Sequence, residues 1–458
     1  MKKLTLLFLL LALLAVAVGG CGPTPKPPEA PTTQPMEVST AAPTATPIQQ
    51  PTEVPTAAPT ATPTQQSTPK GTPANASQDD TQTRPTVVFE VESDEALALV
   101  NGTLIDGTGA DPLPNAVVVV QKGRIIAVGA HAEVDVPVDA KIIDVQGATI
   151  LPGFINAHVH LGFNERNLEA WAQAGVTTVR DLGGPSRFSF RDSVRKDSQY
   201  ARLVAAGPIV TVPDGYPIVP FGSTNVLTVT SPEDAHQKVS QLLDDGADFI
   251  KIALEGGRIF DKNIPMLSPE ESAAIVKVAH ERGTLVTAHV TVSQDLARAL
   301  DAGVDDIAHM VTDNLPDDLI ERMVEDDVYW VPTIELWKGV GHGFGERAVA
   351  NLRRFVNAGG KVALGTDYAG YYTQFDLGMP IREIEWMEEA GMTPMQIIVA
   401  GTKNAAHVCN LEHELGTLEV GKIADVLVVD GDPLDDIHAL TNVRMVLHNG
   451  VVIRGGNV

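Results

Sequence analysis

Residues 151–163 read LPGFINAHVHLGF, and the way this stretch is read decides the fold. An apolar run ends on two histidines one residue apart, His158 and His160. In a strand, side chains at i and i+2 point to the same side. Both imidazoles therefore face one place at the end of a buried strand, and imidazole is a ready ligand for a divalent metal.

Outward from this strand, similar runs recur from Leu151 to about Asn410: TTVRDL (177–182), RLVAAGPIVTV (202–212), DFIKIAL (248–254), TLVTAHV (284–290), DDIAHM (305–310), VYWVPTI (328–334) and KVALGTD (361–367). Helical patterns lie between them. SPEESAAIVKVAHERG (268–283) opens with a Ser-Pro-Glu-Glu start, and TVSQDLARALDAG (291–303) closes on glycine. Eight strand-helix units predict an α/β fold, a closed (β/α)8 TIM-type barrel over 151–410. An open, doubly wound sheet is the alternative, but the chain carries no dinucleotide fingerprint.

The flanks have a different texture. ALALVNGTLIDGTG (96–109), AVVVVQKGRIIAVG (116–129) and AKIIDVQGATI (140–150) are short β-branched runs broken by glycine turns. ADVLVVDGDP (424–433) and VRMVLHNGVVIRGG (443–456) repeat that texture at the other end. The expectation is a small composite β-sandwich built from 86–150 and 411–458.

The chain starts MKKLTLLFLLLALLAVAVGGCG, a basic start, an apolar run too short to span a bilayer and a small-residue stretch before Cys21. This predicts a signal segment over 1–21, with VGGC resembling a bacterial lipobox that would place a lipid on Cys21; an uncleaved anchor is the alternative. From 22 to 85 the chain is rich in Pro, Thr, Ala and Gln, and TAAPTATPIQQ (40–50) nearly repeats as TAAPTATPTQQ (56–66). So few large apolar residues cannot offset ordering entropy, so the reading is a disordered tether. The protein is then expected to be exported and held by lipid on the outer face of the bacterial cytoplasmic membrane or on the cell surface. Of the 2 cysteines, Cys409 is left without an intramolecular partner and reads as a small buried hydrophobe. The sequons at Asn75 and Asn101 are weak in such a context.

With 33 Lys+Arg against 58 Asp+Glu the net charge is -25, and no basic stripe is present. This balance argues against a nucleic-acid partner. Homo-oligomer formation stays open.

In a barrel, chemistry collects at the carboxyl-terminal ends of the strands. Those ends carry His158 and His160, Lys251, His289, His309 and Asp367. Imidazoles and a carboxylate suit zinc and similar ions, and the set permits two of them. An ammonium repels a metal, so Lys251 fits only if neutral or carboxylated, when its terminal carboxylate can bridge two cations. Each residue has an ordinary reading alone: a satisfied core histidine, a lysine with a buried stem and wet head, an aspartate in a turn. Their joint placement favours the site. The other eight of the 12 histidines (131, 236, 280, 342, 407, 413, 438 and 448) are assigned no such role.

With these residues in place, the chain resembles the amidohydrolase superfamily, in its binuclear branch with a bridging carboxylated lysine. GTLIDGTG, LPGFINAHVH, GVTTVRDLGG and GTLEVGKIADVLVVDGDPL carry the resemblance from about Ala96 to the C-terminus. ADFIKIALEGG and EWMEEAGMTPMQIIVAGTKNAA are most similar to imidazolonepropionase-like and Xaa-Pro dipeptidase (prolidase) relatives. The resemblance implies that His158, His160 and Asp367 hold one ion, His289 and His309 a second, and carboxylated Lys251 bridges them. It also implies hydrolysis of C–N bonds in small peptides such as Xaa-Pro dipeptides, by a hydroxide bridging two divalent ions, zinc in the first instance. Asp367 would act as general base and then general acid. Ala308 departs from the Glu-His pair common in such relatives.

Substrate contacts are expected from loops after the strands, with Arg258, Trp337, Tyr368 and Tyr371 as candidates for a carboxylate or a ring. The rival readings are hydrolysis of lactones, esters, cyclic amides or phosphotriesters on the same site, and a tethered solute-binding lipoprotein without catalysis. SVRK (193–196) matches a Ser-x-x-Lys pattern with no supporting motif.

Overall fold

β-branched residues pack well on a pleated surface, and the valine-rich runs at the two ends of the chain form strands accordingly. The structure is a computed structural model that describes residues 94–369 and 375–455. The signal segment, the tether, Cys21, residues 86–93 and Tyr371 lie outside the described residues.

Five strands open the described chain: β1 (Leu97–Leu104), β2 (Leu113–Gln121), β3 (Arg124–Ala130), β4 (Lys141–Asp144) and β5 (Thr149–Pro152). Nine follow: β6 (Phe154–Val159), β7 (Val176–Asp181), β8 (Arg202–Ala205), β9 (Ile209–Thr211), β10 (Val226–Thr228), β11 (Ile250–Ala253), β12 (Val286–His289), β13 (Asp306–Ala308) and β14 (Tyr329–Val331). β15 (Val426–Val429), β16 (Val443–His448) and β17 (Val451–Arg454) close it.

The terminal strands join one eight-stranded sheet in the order β17-β16-β15-β5-β1-β2-β3, with β4 also paired to β1. The expected sandwich is therefore replaced by a single hydrogen-bonded sheet. β5 links the two ends because it pairs parallel to β1 and antiparallel to β15, Leu427 opposite Leu151. Alternation on β15 and β16 is decisive for packing. Val426, Val428, Met445 and Leu447 enter the sheet's own core, while Leu427, Val429 and Val446 enter the main core. The boundary between the flank and the strand-helix region falls after β5, at Gly153, rather than at 151.

The middle strands are parallel. β6-β7-β8 form one sheet and β10-β9-β11-β12-β13-β14 another. Helices alternate with them as the sequence predicts. Pro269–Glu281 begins at Ser268 with a complete capping box to Glu271, and Ser293–Ala302 ends on left-handed Gly303. Two expected strands differ. RLVAAGPIVTV splits into β8 and β9, with Gly207 at φ 73° between them. KVALGTD forms no strand: Val362 bridges Trp330 and Tyr368 bridges Val159 singly. Leu364 N–H donates instead to the Ala400 carbonyl at 2.9 Å, and Asp367 turns at φ 63°.

Single backbone hydrogen bonds cross the seams between these sheets. Asp248 N–H donates to the Ala205 carbonyl at 3.0 Å, Ala363 N–H to Trp330 at 2.9 Å and Ala157 N–H to Leu364 at 2.8 Å. Trp171, Trp330, Phe154 and Phe355 fill the core beneath. Cys409 is a buried free thiol, pushed up to about 12 by burial, and is chemically inert there. No helix among the described residues is long and apolar enough to cross a membrane.

Candidate metal centre

The first half of the site is built where β6 meets the segment holding Asp367. Asn156 Nδ2 donates to Thr366 Oγ1 at 3.0 Å, and its Oδ1 accepts from Thr366 N–H at 3.2 Å and His158 N–H at 3.3 Å. Asp367 N–H donates to the His158 carbonyl at 2.9 Å, and His160 N–H to the Tyr368 carbonyl at 2.9 Å. The approach requires Gly365, since a Cβ there would lie 2.8 Å from the His158 nitrogen and 2.4 Å from Val331 Cγ1.

As a result, His158 Nε2 and His160 Nε2 each sit 3.0 Å from Asp367 Oδ1. The three residues offer ligand atoms all within 4.8 Å of one another. The second half adjoins it. The His309 ring lies 4.8 Å from that of His158 and 4.6 Å from that of His289. Lys251 lies buried on β11, opposite Thr287 of β12. The structure thus brings the four histidines and Asp367 together, with the buried Lys251 near enough for its charge to act on His158 and His289.

The electrostatics favour lone-pair donors. Burial lowers His158 to about 3 and holds His309 well below, and His289 below, the ordinary imidazole value. Asp367 is also buried, which works against its charge, but His158 and His160 outweigh that and keep its carboxyl well below the usual range. Burial lowers Lys251 to about 7, with Asp306 pulling up and Arg180 pushing down. His160 is the exception. Burial works to lower it, yet Asp367 and Asp181 raise it on balance.

The residues fit a cation, because buried atoms here lack partners that the protein could have supplied. His158 Nδ1, Lys251 Nζ and His289 Nε2 are buried and have no hydrogen-bond partner among the described residues. Such groups cost of order 1–3 kcal/mol each when left unsatisfied. Neutral imidazoles and an ionised carboxylate are also the states in which these side chains bind metal. Backbone strain gathers at the same place: His309 has φ 73°, Thr333 φ 48° and Asp367 φ 63°.

Several residues in contact with the cluster escape the sequence reading. Glu255, fully buried, accepts from Gly257 N–H at 2.7 Å and from the Thr291 hydroxyl, and lies 3.6 Å from His289 Nε2. Thr333 Oγ1 lies 2.9 Å from His309 Nδ1, which leaves Nε2 of that ring for a metal. Tyr216 stacks on His289 at 4.0 Å and 20°, and burial, then Asp367 and Glu255, hold its hydroxyl well above the ordinary value. Parity marks Glu255, since 251, 253 and 255 share a side of the chain. Thr333 and Tyr216 carry no comparable signal.

The expected substrate contacts separate. Trp337 is buried in the helix Ile334–Val340 with its ring 6.1 Å from His309, so it belongs to the site's wall. The Tyr368 ring packs on Trp171 at 5.0 Å and Phe375 at 6.1 Å, a place in the core packing. Arg258 is 69% exposed, 3.8 Å from Asp313. Ser193 donates to the Phe190 carbonyl at 2.7 Å within the helix Phe188–Val194, which removes the Ser-x-x-Lys reading.

Parallel strands alternating with helices, with a shared polar cluster at the strand ends, define a protein of the α/β class. The sequence profile of the Amidohydrolase family matches residues 149–454, and the chain belongs to that family. It is 26% identical over 450 residues to ochratoxinase of Aspergillus niger, covering 82% of this chain and 89% of that one. It is 25% identical over 405 residues to imidazolonepropionase of Geobacillus sp. (strain WCH70), covering 76% of this chain and 92% of that one. A solved Xaa-Pro dipeptidase with methionine bound in its active site superposes with a TM-score of 0.69 at 27% identity, covering 79% of this chain and 100% of that one.

Proposed function

We propose that this protein is a binuclear metal-dependent hydrolase that cleaves amide bonds of small peptide-like substrates, Xaa-Pro dipeptides first among them. The observation that carries the reading is the approach of His158 Nε2 and His160 Nε2 to one oxygen of Asp367, both at 3.0 Å, beside the unpartnered Lys251 and His289. His158, His160 and Asp367 would hold one divalent ion and His289 and His309 the other, with carboxylated Lys251 between them. When bound, such ions, zinc in the first instance, make water nucleophilic at neutral pH and polarise the scissile carbonyl.

The chain's own groups do the rest. Asp367 takes the proton of the attacking water and passes it to the leaving nitrogen. Tyr216 stays protonated at neutral pH, so its hydroxyl offers a hydrogen bond to the oxygen that gains charge. Thr333 holds the ring of His309 in one tautomer, and Glu255 sets a carboxylate beside the ring of His289. The names of the relatives, a Xaa-Pro dipeptidase, an ochratoxinase and an imidazolonepropionase, support hydrolysis at carbon–nitrogen bonds.

In the same reading the two parallel sheets close into one (β/α)8 barrel, supported by the hydrogen bonds across their seams. The eight-stranded sheet is its smaller companion, and lipid on Cys21 would anchor the whole at the outer face of the membrane through the tether. The test is metal analysis of the full chain produced with zinc and bicarbonate, coupled to a dipeptide screen. Two ions per chain, a loss on Lys251→Ala and dipeptide cleavage are expected. Two ions without amide cleavage would move the search to lactones, esters and phosphotriesters, ligand binding without turnover would favour the receptor, and absence of metal would overturn the proposal.

A further inference from the structure

Beside the metal ligands the structure carries a second feature, made of rings. Tyr216 stacks on His289, and its other neighbours are Phe260 at 6.0 Å and 30° and Phe221 at 5.8 Å and 81°. Phe221 and Phe260 meet edge to face at 5.5 Å. The three come from two loops: Tyr216 and Phe221 follow β9, and Phe260 follows β11. Both loops leave the carboxyl-terminal ends of their strands, where the imidazoles are.

These rings are not core. Phe221 is 41% exposed and Val219, on the same short helix Ile218–Phe221, is 38% exposed; Tyr216 and Phe260 are half-buried. Leu161, directly after His160, and Leu377, in the segment after Asp367, are exposed as well. Large apolar side chains exposed singly mean little, but here they gather on the loops that border one polar cluster. A site for a small charged substrate has no use for such a border, since water-facing rings give up apolar burial and offer few polar contacts. An apolar group on the substrate would cover them.

We infer that the partly exposed rings beside His289, Tyr216, Phe260 and Phe221, form an apolar subsite, and that the enzyme prefers amides carrying an aromatic or large aliphatic group next to the scissile bond. This rests on the amide-hydrolase reading and adds the class of substrate to it. Ring-on-ring contact favours a planar group over an aliphatic one of equal area, because aromatic pairs add to what their burial contributes. The stack of Tyr216 on His289 places the subsite directly against the metal ligands, so the group it takes must lie next to the bond that is broken.

The test uses the full chain loaded with zinc, and dipeptides that differ only in one side chain: Phe, Leu, Ala or Lys, at either position. The expected result is kcat/KM at least about ten-fold higher for Phe than for Ala or Lys at one position. In Phe260→Ala and, separately, Phe221→Ala, that ratio falls toward one, with the larger loss on the Phe substrate. A binding arm works without turnover: calorimetry with N-acetylphenylalanine and N-acetylalanine on the same chain, where the aromatic acid binds about ten-fold more tightly and Phe260→Ala removes the difference. Selective binding without cleavage would count against the amide reading while supporting the subsite. Equal binding of the two acids, or losses of equal size on Phe and Ala substrates in the variants, would overturn the subsite.

Discussion

Two polar clusters lie buried among the parallel strands, and they are finished differently. In one, Arg180 and Asp306 pair bidentately at 2.7 and 3.0 Å, both fully buried. Arg180 Nε donates to the Ala157 carbonyl at 2.8 Å and Nη1 to Val408 at 2.6 Å, while Thr287 Oγ1 donates to Asp306 at 2.6 Å. Each nitrogen of the guanidinium has a partner. In the other, around His158, Lys251 and His289, buried nitrogens lack partners, and the backbone takes left-handed turns at His309 and Asp367. The difference separates structure from function. A network completed by the protein's own groups holds strands together, whereas one left incomplete is stable only if something else completes it.

The sharpest way to break this comparison is Asp367→Asn. It keeps the shape and removes the proton carrier, so turnover should fall about 10²–10⁴-fold with the melting temperature nearly unchanged. A variant that hydrolyses at the parent rate would end the catalytic role of Asp367. Removing one partner of each cluster should give opposite signs in urea unfolding of metal-free protein. Arg180→Met leaves Asp306 buried and unpaired and should cost about 3–5 kcal/mol. Lys251→Met removes an unpartnered buried nitrogen and should stabilise by about 1 kcal/mol. Losses of similar size in both would erase the distinction.

Glu255→Gln sharpens the comparison at the edge of the site. Zinc affinity by calorimetry should weaken about 10–100-fold as His289 loses its carboxylate partner. Unchanged affinity would leave Glu255 with a packing role alone.

The smallest effect concerns Glu335, whose carboxyl burial pushes up to about 7, with Arg382 at 2.9 Å pulling the other way. The native state then keeps a proton that the unfolded chain releases nearer the ordinary value of 4.5. The stability this contributes is complete below that value and lost as pH rises through about 7. Between pH 5 and 8 the parent should therefore lose more stability than Glu335→Gln, read as the shift of the urea midpoint. Parallel losses would show that Glu335 titrates as it does in the unfolded chain.

Much of this arrangement is legible in the chain. Short buried apolar runs mark seven of the eight strand regions expected in the middle, and the capping box at Ser268 marks a helix start to the residue. The six metal-competent residues are visible because strand ends are where such folds keep polar side chains. The eighth region was not legible as what it is. Its apolar run looks like a strand, but Leu364 bonds to Ala400 and Gly365 lets the chain press against His158, so only isolated bridges form. Thr333 and Tyr216 were hidden for a related reason, since a loop residue is made functional by the ring it meets across space.

The sequence by itself determined which residues could bind a metal, the alternation of strand and helix, and the apolar runs that bury the central strands on both faces. These are local properties, set by side-chain chemistry and backbone geometry within a few residues. Only the tertiary structure decided that His158 and Asp367 share a hydrogen bond, that Glu255 rather than a neighbour of His309 faces His289, and that Tyr216, Phe221 and Phe260 meet beside His289. Those are contacts between segments distant in the chain. They depend on the packing of whole elements, which no short window of sequence contains.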